Sequence, residues 1–194
     1  MRIGALGAEK PVARIDDERY VDLADVTGDF DEGFFGSGGL DRIRPVVEER
    51  VATGRVSLFR GERVGAPIAR PHQILCIGLN YRDHAAETGQ AVPDEPILFT
   101  KSPNTLVGPH DDVRIPRGAT KTDWEVELGI VIARRTSYLG TVEEAAGAIA
   151  GYVVVNDVSE RAFPDGAGRA VGQGQVGGDL QPCGPVAGHS GRGR

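Results

Sequence analysis

Two segments in the second half of the chain have the hydrophobic patterns of β-strands. Residues 124–128 alternate polar and apolar positions, whereas residues 150–155 form a continuous apolar run that leads into Asp157. Side chains alternate faces along a strand, so Glu125 and Glu127 are predicted to share one face. The apolar residues between and after them are predicted to pack on the opposite face.

The first seventy residues have a weaker pattern of short apolar pieces separated by polar turns. Strands are predicted in three of these pieces, namely Arg2 to Leu6, Val12 to Ile15 and Tyr20 to Leu23. Residues 33–39 read as a glycine-rich loop, and Leu40 to Val51 has apolar residues at helical spacing. Residues 66–71 contain two prolines and read as a linker, so residues 1–70 are predicted to form a small β-rich domain.

A third apolar run, Leu75 to Leu79, is followed by a polar segment that is predicted to form a short helix. In a helix, His84 and Glu87 lie three residues apart on one face, where the carboxylate can orient the imidazole and raise its basicity. This is the arrangement of a general base. The alternative is a surface ion pair, which a single His and Glu at this spacing form more often.

Glu125, Glu127 and Asp157 together form a candidate metal site. Carboxylates that share a small space repel one another, and a divalent cation relieves that repulsion better than the side chains nearby. Three carboxylates give an all-oxygen ligand set that suits Mg²⁺, Mn²⁺ or Ca²⁺ rather than zinc. The alternative is that Glu125 and Glu127 form the solvated face of a half-exposed strand.

Composition narrows the classes of function. With 194 residues and 40% hydrophobic content, the chain can bury a core. Its net charge of -6 argues against nucleic acid and anionic membranes as partners. It contains no apolar run of membrane-spanning length and no signal-peptide core at its start, so a cytoplasmic enzyme is expected. Its two cysteines, Cys76 and Cys183, predict no disulfide framework.

The order and spacing of several motifs between Pro71 and Phe163 resemble the fumarylacetoacetate hydrolase family. These motifs are Ile74 to Tyr81 with His84 and Glu87, Pro96 to Lys101, Leu106 to Pro109, Asp123 to Leu128, Ala150 to Tyr152, and Asn156 to Arg161. Within the family, the chain is similar to the branch of acylpyruvases and 2-hydroxyhepta-2,4-diene-1,7-dioate isomerases.

The resemblance implies an α+β fold, in which an incomplete, mixed β-roll over residues 71–163 follows the small N-terminal domain. The implied site consists of the metal ligands Glu125, Glu127 and Asp157, the catalytic pair His84 and Glu87, and the substrate-binding residues Lys101 and Arg161. The implied substrates are β-diketo, 2-keto or dienol acids, with C–C cleavage favoured over isomerisation or decarboxylation. The full-length protein is expected to be a homodimer.

Residues 164–194 differ in character from the rest, since they are rich in Gly and contain no Phe, Trp or Tyr. Such a segment buries too little apolar surface to offset its ordering entropy, so no regular structure is predicted. Skipping one nucleotide after the Phe163 codon restores family-like residues in the permitted codons, which predicts a frameshift and a truncated, inactive chain. The alternative is a native glycine-rich tail.

Overall fold

The computed structural model describes residues 1–87, 89, 91–162, 169–174 and 181–182. In these ranges the chain is an α+β protein that consists mostly of strands with a few helices, which confirms the predicted fold class. None of the helices in the described ranges is long and apolar enough to cross a membrane.

An antiparallel sheet of four strands forms the N-terminal part of the molecule. In chain order and in spatial order, its strands are β1 (Arg2–Ile3), β2 (Lys10–Arg14), β3 (Arg19–Asp22) and β4 (Ser57–Leu58). The first three overlap the strands predicted from the sequence. Ile3, Val12 and Val21 are fully buried, so the alternating apolar residues of these short strands supply the packing that holds them in place.

The predicted glycine-rich loop at residues 33–39 is wrong, because most of it forms helix α1 (Glu32–Gly36). The Asp31 side chain accepts a hydrogen bond from the Phe34 backbone N–H and caps the helix. Phe34 and Phe35 are buried, and this burial together with the cap outweighs the low helix propensity of the glycines. The predicted second helix is present as α2 (Gly39–Ala52).

A five-stranded sheet forms the second half of the molecule around one long central strand. Its strands are β7 (Thr122–Asp123), β8 (Val126–Ile132), β9 (Ile149–Glu160), β10 (Arg169–Gly174) and β11 (Gln181–Pro182), and β9 pairs antiparallel with each of the others. The sequence predicts a helix that begins after Thr141, because Thr141 and Glu144 have the spacing of a capping box. The structure has this helix as α4 (Val142–Ala146), which precedes β9, and Thr141 Oγ1 accepts a hydrogen bond of 3.1 Å from the Glu144 N–H.

A two-stranded antiparallel hairpin lies between these two sheets in the sequence. Its strands are β5 (Ile74–Gly78) and β6 (Ile97–Lys101), and helix α3 (Arg82–Glu87) follows β5. Cys76 pairs with Phe99 and Ile74 pairs with Lys101 across the hairpin. Lys101 is therefore the last residue of β6, where the hairpin meets the end of β9.

The two sheets share one hydrophobic core. Its buried residues are Val21, Leu23, Phe30, Phe34 and Phe35 from the N-terminal part and Val131, Ala150, Val153 and Val155 from β8 and β9. The predicted boundary near residue 70 stays a prediction. Residues 1–70 therefore cover one face of the β8–β9 sheet, and they also contain a smaller buried cluster of their own, formed by Ile3, Val12 and Tyr20.

The opposite face of β8 is apolar and exposed. Val126, Leu128, Ile130 and Ile132 are 52% to 64% exposed, so the prediction that Val126 and Leu128 are packed is wrong. The N-terminal part covers only the face that carries Glu127 and Val131, and nothing in the described residues covers the other. A contiguous apolar face of this kind favours association with another surface.

In residues 169–174 and 181–182 the structure differs from the prediction that the tail lacks regular structure. Arg169–Gly174 and Gln181–Pro182 are strands that pair with the free edge of β9. An unpaired strand edge offers backbone N–H and C=O groups, and a chain with few apolar side chains can still bond to them. The frameshift and the loss of activity stay predictions, and Cys183 lies outside the described residues.

The last residue of β9, Glu160, binds the segment that precedes β7 through hydrogen bonds. Its carboxylate is 1% exposed and accepts hydrogen bonds from the N–H groups of Thr120 (3.3 Å), Lys121 (2.9 Å) and Ala162 (2.9 Å) and from Thr122 Oγ1 (2.7 Å). Burial alone raises the pKa of Glu160, but these hydrogen bonds outweigh it and lower the pKa below 4.5.

Polar substitutions on the exposed face of β8 are expected to reduce self-association. We expect the double variant Leu128→Lys/Ile130→Lys to shift the chain toward the monomer in analytical ultracentrifugation, with little change in thermal unfolding. As a control on the buried face, Val131→Ala is expected to lower the free energy of unfolding by about 2 kcal/mol through lost burial and a cavity. Undiminished association in the double variant would contradict the prediction that this face mediates self-association.

Glu160→Gln is expected to change how stability depends on pH. Because the folded-state pKa is depressed, the carboxylate contributes stability that is fully present above pH 4.5 and is lost as the pH falls through the folded-state pKa. Glu160→Gln should therefore be less stable than the wild type at neutral pH, and the difference should narrow below pH 4.5 in denaturant unfolding. The exposed Glu48→Gln is the control, and a difference that stays constant with pH would refute this role.

Candidate active site

A buried ion pair lies at the centre of the candidate site. Lys101 is 4% exposed and Asp157 is 3% exposed, and the Lys101 ammonium forms an ion pair with Asp157 Oδ1. Lys101 Nζ also donates hydrogen bonds to the Val158 carbonyl (3.3 Å) and to Ser159 Oγ (3.2 Å). The end of β6 is thus attached to β9 by a charged side chain rather than by backbone pairing.

Hydrogen bonds of the backbone hold Glu125 next to the end of β9 that carries Asp157. The Asp157 N–H donates to the Glu125 carbonyl at 2.7 Å, and the Glu125 N–H donates to Asn156 Oδ1 at 3.3 Å. The Glu125 carboxylate forms an ion pair with Arg161, whose guanidinium also reaches Asp123 at 3.3 Å. This second pair is partly exposed to solvent, so it is weaker than its geometry suggests.

Glu127 lies two residues further along β8 and opposite Val155. It faces the same side as Glu125, as predicted, since both are half-buried while the residues between and after them are exposed. Burial lowers the pKa of Lys101, and the negative charge of Glu127 opposes that shift. Burial raises the pKa of Cys76, with Lys101 lowering it and Glu127 raising it. Glu127, Lys101 and Cys76 therefore share one electrostatic environment.

These carboxylates fit a hard divalent cation in donor type but not in their present arrangement. All three supply oxygen, and Asp157 Oδ1 is buried without a hydrogen bond of normal geometry, although Lys101 lies against it. In the described part of the chain, however, no three His, Cys, Asp or Glu side chains are grouped so that they could hold a metal ion. Instead, Lys101 forms an ion pair with Asp157, and Arg161 forms one with Glu125.

His84 and Glu87 lie on helix α3, which confirms the predicted helix and places both residues on one helical face. Their side chains lie outside the described structure, so the catalytic pair stays a prediction. The turn that leads into α3 contains Leu79 with a φ of 51°, a left-handed conformation that is unfavourable for a leucine. Such backbone outliers concentrate at functional sites.

Sequence reasoning gave no role to two residues that the structure brings to this region. Glu160 ties the segment before β7 to the end of β9, and Cys76 faces the Lys101 environment from β5. A signal for Glu160 was present in the sequence, since a charged residue stands there at the end of a mostly apolar strand. Cys76 carried no such signal, because a small residue in an apolar run is ordinary core.

Comparison with known proteins identifies the family. Residues 73–190 match the family description "Fumarylacetoacetate (FAA) hydrolase C-terminal". The motifs that carry the resemblance in the sequence end at Phe163, and an end of the resemblance there is the expectation that follows. The match extends beyond Phe163, so that expectation is wrong. A family's overall pattern can persist where individual motif residues are missing.

A protein of Burkholderia lata that carries the general name of a hydrolase is 40% identical over 189 residues, which cover 96% of this chain. The chain spans 63% of the length of that relative. Among solved structures, a probable 2-hydroxyhepta-2,4-diene-1,7-dioate isomerase from Mycobacterium abscessus aligns with a TM-score of 0.62 and 29% identity, over 84% of this chain and 54% of the other.

A maleylpyruvate hydrolase from Sphingobium sp. SYK-6, solved with manganese(II) and pyruvate, has the same fold. It aligns with a TM-score of 0.61 at 21% identity, over 84% of this chain and 60% of its own. The match over residues 73–190 and the 40% identity across 96% of the chain agree with the motifs from Ile74 to Arg161. The chain belongs to the fumarylacetoacetate hydrolase family.

Proposed function

We propose that this chain carries the site of a metal-dependent hydrolase or isomerase that acts on β-diketo, 2-keto or dienol acids, with C–C cleavage as the favoured reaction. The observation that carries the proposal is a pair of acid–base contacts at the ends of β6, β8 and β9, in which Lys101 pairs with Asp157 and Arg161 pairs with Glu125. Family membership supports the general class of reaction, since the similar structures include both an isomerase and a hydrolase.

The proposed metal ligands are Glu125, Glu127 and Asp157. A bound Mg²⁺, Mn²⁺ or Ca²⁺ would hold both oxygens of a dicarbonyl acid and stabilise the enolate that develops in the reaction. This ligand set requires Lys101 and Arg161 to leave the carboxylates with which they are paired in the structure.

The two cations suit an anionic substrate in different ways. Arg161 is partly exposed, and its guanidinium presents the donor pair that binds a carboxylate in two places. Lys101 is buried and close to the carboxylates, so its ammonium can stabilise negative charge on a substrate oxygen near the metal ligands. We therefore assign the substrate carboxylate to Arg161 and the reacting oxygen to Lys101.

The proposed general base is His84, oriented by Glu87. A neutral imidazole nitrogen would take a proton from water in hydrolysis or from a substrate carbon in isomerisation, and the nearby carboxylate would stabilise the imidazolium. The left-handed turn at Leu79 directs the chain from β5 into the helix that carries both residues. A panel of acylpyruvates, oxaloacetate and homoprotocatechuate-pathway dienes would separate hydrolase, decarboxylase and isomerase activity.

The second candidate is a catalytically inactive product that at most binds metal or a partner subunit. The exposed apolar face of β8 favours it, because such a face is covered in a complete, stable domain. The proposed homodimer is one way to cover it. Absence of turnover on the whole substrate panel, with a folded chain, would favour this candidate.

Removing a proposed metal ligand is expected to abolish metal-dependent turnover. Asp157→Asn and Glu127→Gln should each reduce kcat/KM by at least about a hundredfold, because the oxygen charge that binds the cation is lost. The measurement is turnover of the best substrate in the panel across a Mn²⁺ titration, with circular dichroism to confirm folding. Glu143→Gln on the exposed helix α4 is the control. Undiminished turnover in both ligand variants would reject the metal role.

His84 and Glu87 are expected to act as a unit. If Glu87 works only by orienting His84, then Glu87→Gln should lower kcat in the wild type and should have almost no further effect when His84 is already replaced by Ala. The measurement is a double-mutant cycle in kcat. The neighbouring Asp83→Asn on the same helix is the control, and simple additivity would leave Glu87 without a catalytic role.

A further inference from the structure

Asp157 needs a positive partner in every state of this site. It is 3% exposed, and a carboxylate this deeply buried is strongly destabilising when it is left unpaired. In the structure that partner is Lys101, which is almost equally buried. Asp157 therefore depends on Lys101 for compensation, since neither side chain reaches bulk water.

Lys101 lies where a cation bound to Asp157 would have to lie. Its ammonium is directly against Oδ1, and that oxygen receives no hydrogen bond of normal geometry from any other group in the described residues. A divalent cation on the same oxygen would meet the like charge of the ammonium at close range in a region of low dielectric. The two cations cannot both occupy this position.

The ammonium has other acceptors within reach. Lys101 Nζ already contacts the Val158 carbonyl at 3.3 Å and Ser159 Oγ at 3.2 Å, both on β9. A small movement of the side chain can therefore release Asp157 while two hydrogen bonds are kept. Lys101 can leave the carboxylate without returning to solvent.

We propose that Lys101 is the built-in counter-ion of Asp157 in the metal-free protein, and that a divalent cation binds by displacing it along β9 toward Ser159. Without metal, Lys101 then holds the site folded, and it lowers the affinity for metal. This inference rests on the proposed function, since it takes Asp157 to be a metal ligand. It also accounts for the absence of a grouped metal site among the described residues.

The Arg161–Glu125 pair is not expected to lower the affinity for metal in the way that Lys101 does. Its side chains are 46% and 28% exposed, so water compensates both charges when the pair opens. Removing Arg161 should accordingly change metal affinity less than removing Lys101. This difference separates competition at one buried oxygen from a general effect of positive charge near the site.

The test is direct binding of Mn²⁺ to the chain after treatment with a chelator, followed by electron paramagnetic resonance of free Mn²⁺. Lys101→Met is expected to tighten Mn²⁺ binding by at least about tenfold, because a charged contact that the metal must break is gone. Lys101→Arg keeps the charge and should not tighten binding. Arg161→Met should change affinity by less than Lys101→Met. Lys10→Met removes the half-exposed Lys10–Asp22 ion pair and is the control.

Thermal unfolding gives a second readout that does not involve turnover. Without metal, Lys101→Met should unfold at a lower Tm than the wild type, and Mn²⁺ should raise its Tm by more than it raises that of the wild type. If Lys101→Met does not fold, Lys101→Gln removes the charge but keeps a donor for Ser159 Oγ, and it must show the same tightening.

The outcomes separate this inference from the proposed function. If the wild type binds Mn²⁺, Asp157→Asn abolishes binding, and Lys101→Met binds with unchanged or lower affinity, then the inference is wrong while the metal site stands. If Asp157→Asn binds Mn²⁺ as well as the wild type, or if neither the wild type nor Lys101→Met binds it, then the metal site and the inference both fail.

Discussion

The compensation of two buried carboxylates at the end of β9 is the constraint on which the rest of the site depends. Asp157 and Glu160 are almost completely buried, three residues apart on the strand, and each is strongly destabilising without polar partners. Lys101 supplies the partner for Asp157 and thereby joins β6 to β9. Backbone N–H groups before β7 supply the partners for Glu160. Elements that are distant in sequence are brought together because these charges must be satisfied.

The two faces of the central sheet differ in how far they are covered. One face packs against Phe30, Phe34 and Phe35 of the N-terminal part, which is itself tied to the second half by Arg63, whose guanidinium contacts both Glu9 and Asp111. The other face exposes the apolar residues of β8. The chain spans 63% of the length of a relative to which it is 40% identical.

The arrangement of charges also bears on how a site of this type stays folded without its cation. Acidic residues gathered for metal binding repel one another, and a fold must tolerate that repulsion whenever the metal is absent. A buried lysine compensates this repulsion more strongly than an exposed arginine does, because solvent cannot take its place. Because this ion pair is strong, the lysine also competes with the metal for the carboxylate. Stability of the metal-free state and affinity for the cation are then opposed to each other at a single side chain.

Local patterns in the sequence determined a large part of this structure. Alternating and continuous apolar runs predicted β8 and β9, the capping box at Thr141 predicted α4, and helical spacing predicted α2, since each depends on residues that are neighbours in the chain. The motifs from Ile74 to Arg161 also predicted the family, because their order is a property of the sequence itself. The shared face of Glu125 and Glu127 follows from strand periodicity alone.

The tertiary structure decided what depends on contacts between distant residues. Strand periodicity separates the two faces of β8 but does not say which face is covered, so the exposure of Val126 and Leu128 required the position of the N-terminal part. The pairing of Lys101 with Asp157 and the role of Glu160 join residues 56 and about 40 positions apart. The strands after Phe163 form because β9 offers an open edge, which composition does not reveal. Local periodicity determined the elements, and long-range compensation of charge and burial determined the site.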